Sequence, residues 1–362
     1  MRVPPRWVRR LVLAPAVVVA AIAVTALLPL WLVVAVAVSL LLETRLRTPR
    51  LLWMGNLYLL WDAAALIGLF ALWVASGFGL RIHSPTFRRA QYRFVARMLE
   101  FLFWNGRWVL RLDIDVRVPA GFHDDDGPRV IASRHAGPGD SFILVHAVFD
   151  WFERSPRIVL KDTMQWDPAI DVVLNRLPNR FLAPEPAPDA HRPVDHLLLD
   201  RIRDLATDMG PRDALVIFPE GGNFTERRRT RAIERLRAAG LHAAADRAAR
   251  LQNVMAPRPG GFFAALDAAP DADVYFVAHT GLERIRTITD VWRELPTDKT
   301  IVMRFWRVPR NEIPTAREER FDWLLQEWED IDDWIGQHRR QDRDTPGSTR
   351  FPPRSEGPAG IR

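Results

Sequence analysis

Val130-Ile131-Ala132, then Ser133-Arg134-His135-Ala136-Gly137-Pro138-Gly139-Asp140-Ser141, then an apolar run to Phe152, is the stretch from which the fold is read. Three consecutive apolar residues make a short buried strand. Gly-Pro-Gly interrupts regular structure, and Ser141 to Phe152 has the length and composition of an apolar helix. The same alternation continues outward. Arg88 to Leu102 has helical spacing, and Leu110 to Val118 sets Leu112, Ile114, Val116 and Val118 against Asp113, Asp115 and Arg117, as in a half-buried strand. Downstream, strands are expected at 158–160, 214–218, 273–278 and 300–308. Helices are expected at 194–209, 230–251 (with a break at Gly240) and 318–335. Strands alternating with helices predict an α/β fold: a layered sheet with flanking helices.

Two apolar runs precede this pattern. Leu11 to Leu42 is 32 residues without a charge, and Leu51 to Leu80 is 30 residues with one, Asp62. A membrane-crossing helix needs about 20 apolar residues, and a signal peptide's apolar region has about 7–15. Both runs therefore predict N-terminal transmembrane helices. Pro29 is a point where the first could kink or turn back. Asp62 is read as a helix-contact acid. Arg2, Arg6, Arg9 and Arg10 before the runs, and Arg81, Arg88, Arg89, Arg93 and Arg97 after them, predict that everything after residue 80 lies on the cytoplasmic side of a cell inner membrane. The basic connector 43–50 argues the other way. The expected organisation is a membrane-anchoring region at 1–80, a catalytic domain at 81–336 and a polar, disordered tail at 337–362.

Composition narrows the chemistry. The 362 residues contain no cysteine, which excludes disulfides, thiolate metal sites and a cysteine nucleophile. The net charge is +6, with arginine supplying all but two of the 50 cations (Lys161 and Lys299). No nucleic-acid-binding signature accompanies that charge, so no nucleic-acid partner is expected. Asp124 to Asp126 reads as a solvated turn, and His191 and His196, separated by Pro193, as surface residues. No metal site is expected.

Two connections carry candidate chemistry. In the first, His135 and Asp140 are separated by a turn that can fold the carboxylate onto the imidazole. A histidine so paired can take a proton from a hydroxyl at neutral pH. In the second, Phe218-Pro219-Glu220-Gly221-Gly222-Asn223-Phe224-Thr225 follows an apolar strand, the end at which open α/β sheets place ligands.

His135-x4-Asp140 followed by Phe218-Pro219-Glu220-Gly221 resembles the glycerolipid acyltransferase family, the 1-acyl-glycerol-3-phosphate (lysophosphatidate) acyltransferases. Phe224-Thr225-Glu226, the segment from Asn253 to Phe262 and the ending Trp323 to Trp328 are similar to its lysocardiolipin-type branch. The resemblance covers roughly residues 90–335. It departs from the family at Arg134, where Asn is usual, and at Gly221-Gly222-Asn223, where Gly-Thr-Arg is usual. It departs again at Leu177-Pro178-Asn179-Arg180-Phe181-Leu182, where the family has a Phe-Ile-x-Arg strand end.

The resemblance implies a membrane-bound acyltransferase. It would move a fatty acyl group from acyl-CoA or acyl-carrier protein, as co-substrate, to a lysophospholipid hydroxyl. No cofactor is bound. His135 is the implied general base and Asp140 its partner. Glu220, Gly221, Arg134, Lys161, Arg180 and Arg258 are the implied substrate-binding residues, with Arg134 or an N–H near Gly221 or Gly222 as oxyanion donor. The run Arg227-Arg228-Arg229 reads as a basic surface. The rival readings are an ester hydrolase using the same His/Asp pair and a membrane adaptor that has lost activity.

Overall fold

The structure, a computed structural model, describes residues 3–42, 46–117, 127–182, 194–281, 283, 290, 292–293, 295 and 299–344. The Asp124–Asp126 turn, His191, the side chain of His196 and the tail from 345 lie outside the described residues.

Among the described residues, seven strands form one mixed sheet: β1 (Leu112–Arg117), β2 (Arg129–Ser133), β3 (Ser155–Lys161), β4 (Arg180–Leu182), β5 (Asp213–Ile217), β6 (Asp273–Thr280) and β7 (Lys299–Val308). Their order is β1-β7-β6-β2-β5-β3-β4. β4, β3, β5, β2 and β6 run parallel, β7 is antiparallel to β6, and β1 is parallel to β7.

Both faces of the sheet are covered, which is why its central strands read as continuous apolar runs. On one face Ile131, Val216 and Tyr275 pack under α4 (Pro138–Asp150), with Phe103 of α3 (Pro85–Leu110) beside them. On the other face Val130, Leu215 and Phe276 pack under α6 (Val194–Ala206), α9 (Pro259–Ala268) and α10 (Arg317–Asp344). The connection leaving β2 thus crosses one face, while that leaving β5, through α7 (Glu226–Ala238), α8 (His242–Arg250) and α9, crosses the other. Neighbouring strands whose connections diverge leave a crevice at their carboxyl ends.

Among the described residues, two helices are long and apolar enough to cross a membrane: α1 (Arg6–Leu41) and α2 (Arg47–Ala75). Pro29 neither breaks α1 nor turns it back. α1 holds a π-helical turn over Arg9–Leu13, and there Arg9 and Arg10 both reach Asp171 of α5 (Pro168–Leu174), at 2.9 and 3.3 Å. Asp62 is buried on α2 and accepts the N–H of Ala169 at 3.2 Å, so it is a helix-contact acid. α2 and α3 run antiparallel, with Arg50 Nη1 donating to the Val109 carbonyl (2.7 Å) and Trp61 Nε1 to that of Met98 (2.6 Å).

Four helices differ from the sequence expectation. Helix α4 begins at Pro138, inside the Gly-Pro-Gly expected to exclude helix, because proline at the first helical position lacks an N–H that the helix leaves unbonded anyway. Helices α5 and α9 were not expected. Each is short, and two adjacent glycines obscure the start of α9. Finally, α10 continues through residues 337–344, assigned above to a disordered tail.

Candidate active site

The connection between β2 and α4 explains the His-x4-Asp spacing. Asp140 lies in the first turn of α4. Its Oδ2 accepts the N–H groups of Ala136 (2.5 Å) and Gly137 (3.0 Å), donors that a helix N-terminus cannot bond itself. Oδ1 accepts from Nδ1 of His135 at 3.0 Å. Burial pushes the Asp140 carboxyl up, but the His135 bond, the nearby His279 and the helix-terminal N–H groups outweigh it and hold the group below the ordinary range. The His135 ring stacks on Phe218, 4.5 Å between centroids. With Nδ1–H given to Asp140, Nε2 keeps its lone pair, and it carries no hydrogen bond among the described residues.

The loop after β5 closes against the same backbone. Glu220, 3% exposed, accepts the His135 N–H through Oε1 and the Met255 N–H through Oε2, both at 3.0 Å. Phe224 N–H donates to the His135 carbonyl at 2.9 Å. Residues 221–223 therefore form the short segment between two backbone ties to His135, with Gly221 exposed and Gly222 buried. Gly221 (φ +71°) and Gly222 (φ +155°) occupy backbone regions that L side chains rarely adopt. Arginines fill the space that side chains would take. Arg258 Nε lies 3.1 Å from where a Cβ on Gly221 would be, and Arg228 Nη1 lies 2.6 Å from that of Gly222. Arg228, read above as part of a basic surface, also donates to the Asn223 carbonyl at 3.1 Å. Gly221 N–H is taken by the Phe218 carbonyl (2.9 Å). Gly222 N–H has no such partner among the described residues.

The remaining expected residues separate. Arg134 does not face the open side. It is 1% exposed and pairs through Nη2 with Glu283 at 3.2 Å, because a sealed guanidinium needs a counter-charge. Burial pushes the Glu283 carboxyl up, but Arg134 and Arg339 outweigh it and draw the group down to about 2. Lys161 is exposed at the carboxyl end of β3, two strands from β2 and on the same edge as His135. Arg180 is exposed at the start of β4, three strands or about 14 Å from β2. It lines a polar cleft with Gln165, Asn175, Asp200 and Asp204, away from the imidazole.

Residues 114–280 match the family model described as Acyltransferase, so the match spans both loops and strands β2 to β6. They form an acyltransferase-family domain. Among solved structures, the 1-acyl-sn-glycerophosphate (LPA) acyltransferase PlsC from Thermotoga maritima is similar to the chain at 12% identity. The alignment covers 79% of this chain and 98% of that one with a TM-score of 0.45. No curated protein matches the sequence.

The acyltransferase domain contains one site group that the sequence analysis missed, His279 at the carboxyl end of β6. It is 2% exposed, with Nε2 3.4 Å from the Arg134 carbonyl and 3.7 Å from Asp140 Oδ2. Burial, reinforced by Arg134, depresses this imidazole to about 4, so it is neutral at physiological pH. Its position at a strand's carboxyl end was the available signal. Glu283, Asp332 and Arg339 carried none, because their partners are remote in the chain.

Proposed function

We propose that the protein is a bilayer-associated glycerolipid acyltransferase that moves a fatty acyl group from an acyl thioester, acyl-CoA or acyl-carrier protein, to the hydroxyl of a lysophospholipid. The family default, 1-acyl-glycerol-3-phosphate, is the first acceptor to test. The observation that carries this reading is the His135–Asp140 pair held beside the Glu220-Gly221-Gly222 loop at the carboxyl edge of the sheet.

In the proposed reaction His135 Nε2 takes the hydroxyl proton, and Asp140 steadies the imidazolium that forms. The acceptor oxygen bonds to the thioester carbonyl carbon. Gly222 N–H is the candidate donor to the resulting oxyanion. The C–S bond then breaks, and the proton passes from His135 to the leaving thiolate. Arg258 and Arg228, over the glycine pair, are suited to a phosphate on the acceptor, since guanidinium groups form strong charge-assisted bonds to phosphate. Arg134 is assigned to holding the loop rather than to substrate. The bilayer reading is supported by α1 and α2 and by Phe101, Trp104 and Trp108, three exposed aromatics along one face of α3.

The test is thiol release from acyl-CoA by purified protein in detergent with a panel of lysophospholipids, the products identified by mass spectrometry. A diacyl product and acceptor-dependent thiol release are expected. Free fatty acid as the sole product would convert the assignment to a hydrolase. No turnover with either donor and any acceptor would leave the adaptor reading.

A further inference from the structure

We infer that α10, which lies wholly beyond the family match ending at residue 280, is part of the catalytic machinery: Asp332 and Arg339 are positioning residues that hold both loops bearing on His135.

Asp332 is buried and must be satisfied inside the protein. Its Oδ1 accepts three successive backbone N–H groups, from Gln252 (3.0 Å), Asn253 (2.5 Å) and Val254 (3.1 Å), and its carbonyl accepts from Asn253 Nδ2 (3.1 Å). Successive N–H groups converging on one carboxylate fix a segment that has no helix or strand of its own. The next N–H, of Met255, goes to Glu220, whose other oxygen holds the His135 N–H. One short loop and one carboxylate, that of Glu220, thus separate Asp332 from the backbone of the proposed base.

Arg339 lies seven residues later, on the same helix face. Its Nη1 donates to Asn253 Oδ1 at 2.6 Å, and its Nη2 lies 3.4 Å from Glu283 Oε1. That Glu283 oxygen also accepts from Arg134, the residue before His135. One stripe of α10 therefore grips both the 252–255 loop, which is tied to Glu220, and Glu283, which is tied to Arg134. Trp328, Ile331 and Ile335 bury that stripe in the core and give it a rigid seat.

The inference rests on the acyl-transfer reading only for its kinetic arm. Hydrogen exchange on the full-length protein in detergent reads the clamp without turnover. Asp332→Asn should speed exchange in 252–258 and also in 133–137, while the β6 peptide 273–280 stays protected. Arg339→Met should do the same and Arg339→Lys should largely restore protection, which keeps the test usable should the Asp332 variant fail to fold. A change confined to 252–258, or spread over the whole domain, overturns the proposal. In the kinetic arm Asp332→Asn should lower kcat by about 10- to 100-fold with KM for the thioester nearly unchanged. The double variant with Glu220→Gln should be no slower than the slower single variant, and multiplied losses would mean independent action. A wild-type protein with no thioester turnover would defeat the functional reading, and exchange would still decide the clamp.

Discussion

Glu220 Oε1 stands 3.0 Å from the backbone nitrogen of His135, across 85 residues of sequence. The bond fixes the main chain of the proposed base rather than its ring. The ring is oriented separately, by Asp140 on one side and Phe218 beneath. Two independent restraints on one residue are what a site needs when a small displacement of a reacting group costs a large factor in rate.

Removing the imidazole should remove the activity. His135→Ala is expected to lower thiol release by about 10²- to 10⁴-fold, the usual worth of a positioned proton acceptor. Because His135 is partly exposed, its melting temperature should stay close to wild type. A variant that keeps acceptor-dependent turnover within a few-fold would show that another group takes the proton.

Glu220 makes stability fall with rising pH. Burial pushes its carboxyl up to about 8 from an ordinary 4.5, against the Met255 N–H bond, the Arg134 charge and the His135 N–H bond. Between those values the folded chain holds more protons than the unfolded one, so this contribution is full below about 4.5 and is lost as pH rises toward 8. His279 acts oppositely between about 4 and 6.5, where the unfolded chain binds the extra proton. From about pH 6.5 to 8 only the Glu220 effect of the two remains. The melting temperature of wild type minus that of Glu220→Gln should decline across that window, and a level difference would mean that the carboxyl ionises normally.

The glycine pair should resist substitution. Gly222→Ala forces a Cβ into a backbone region costing about 1–3 kcal/mol and against the Arg228 guanidinium, 2.6 Å away. A lower melting temperature and a raised KM for a phosphate-bearing acceptor are expected. Gly106→Ala, in helix α3 with nothing within 4 Å, should be neutral or stabilising by about 0.5–1 kcal/mol. Equal effects from the two changes would remove the argument from backbone conformation.

The aromatic face of α3 can be read against lipid. Trp104 and Trp108 are 66% and 70% exposed, and the chain has no cysteine, so Trp104→Cys creates a single labelling site. An environment-sensitive dye there should brighten and shift to the blue when vesicles containing anionic lipid are added. An unchanged spectrum on vesicles that retain the protein would place this face away from the bilayer.

Much of the architecture was legible before any coordinates, for identifiable reasons. The runs at 130–132, 214–218 and 273–278 are strands buried on both faces, and continuous hydrophobicity over four to eight residues between turn signals marks them. The His135–Asp140 pairing was legible because it is local, a helix-terminal carboxylate reaching back over a few residues. The inward course of Arg134 was not legible, because sequence adjacency to His135 says nothing of direction. Its chain extends into the protein, where Glu283 waits. The distance of Arg180 from His135 was not legible, because strand order, not chain order, sets it.

By itself, then, the sequence determined the local periods, the two long apolar helices and the closeness of His135 to Asp140, because each is encoded within about 30 residues of chain. Only the tertiary structure decided which strands are neighbours, that Glu220 ties the backbone of His135 to that of Met255, and that Asp332 and Arg339 reach back from the last helix. Those contacts join segments tens to hundreds of residues apart. Buried carboxylates and guanidinium groups find whichever partners packing brings within reach, and no spacing in the chain records that choice.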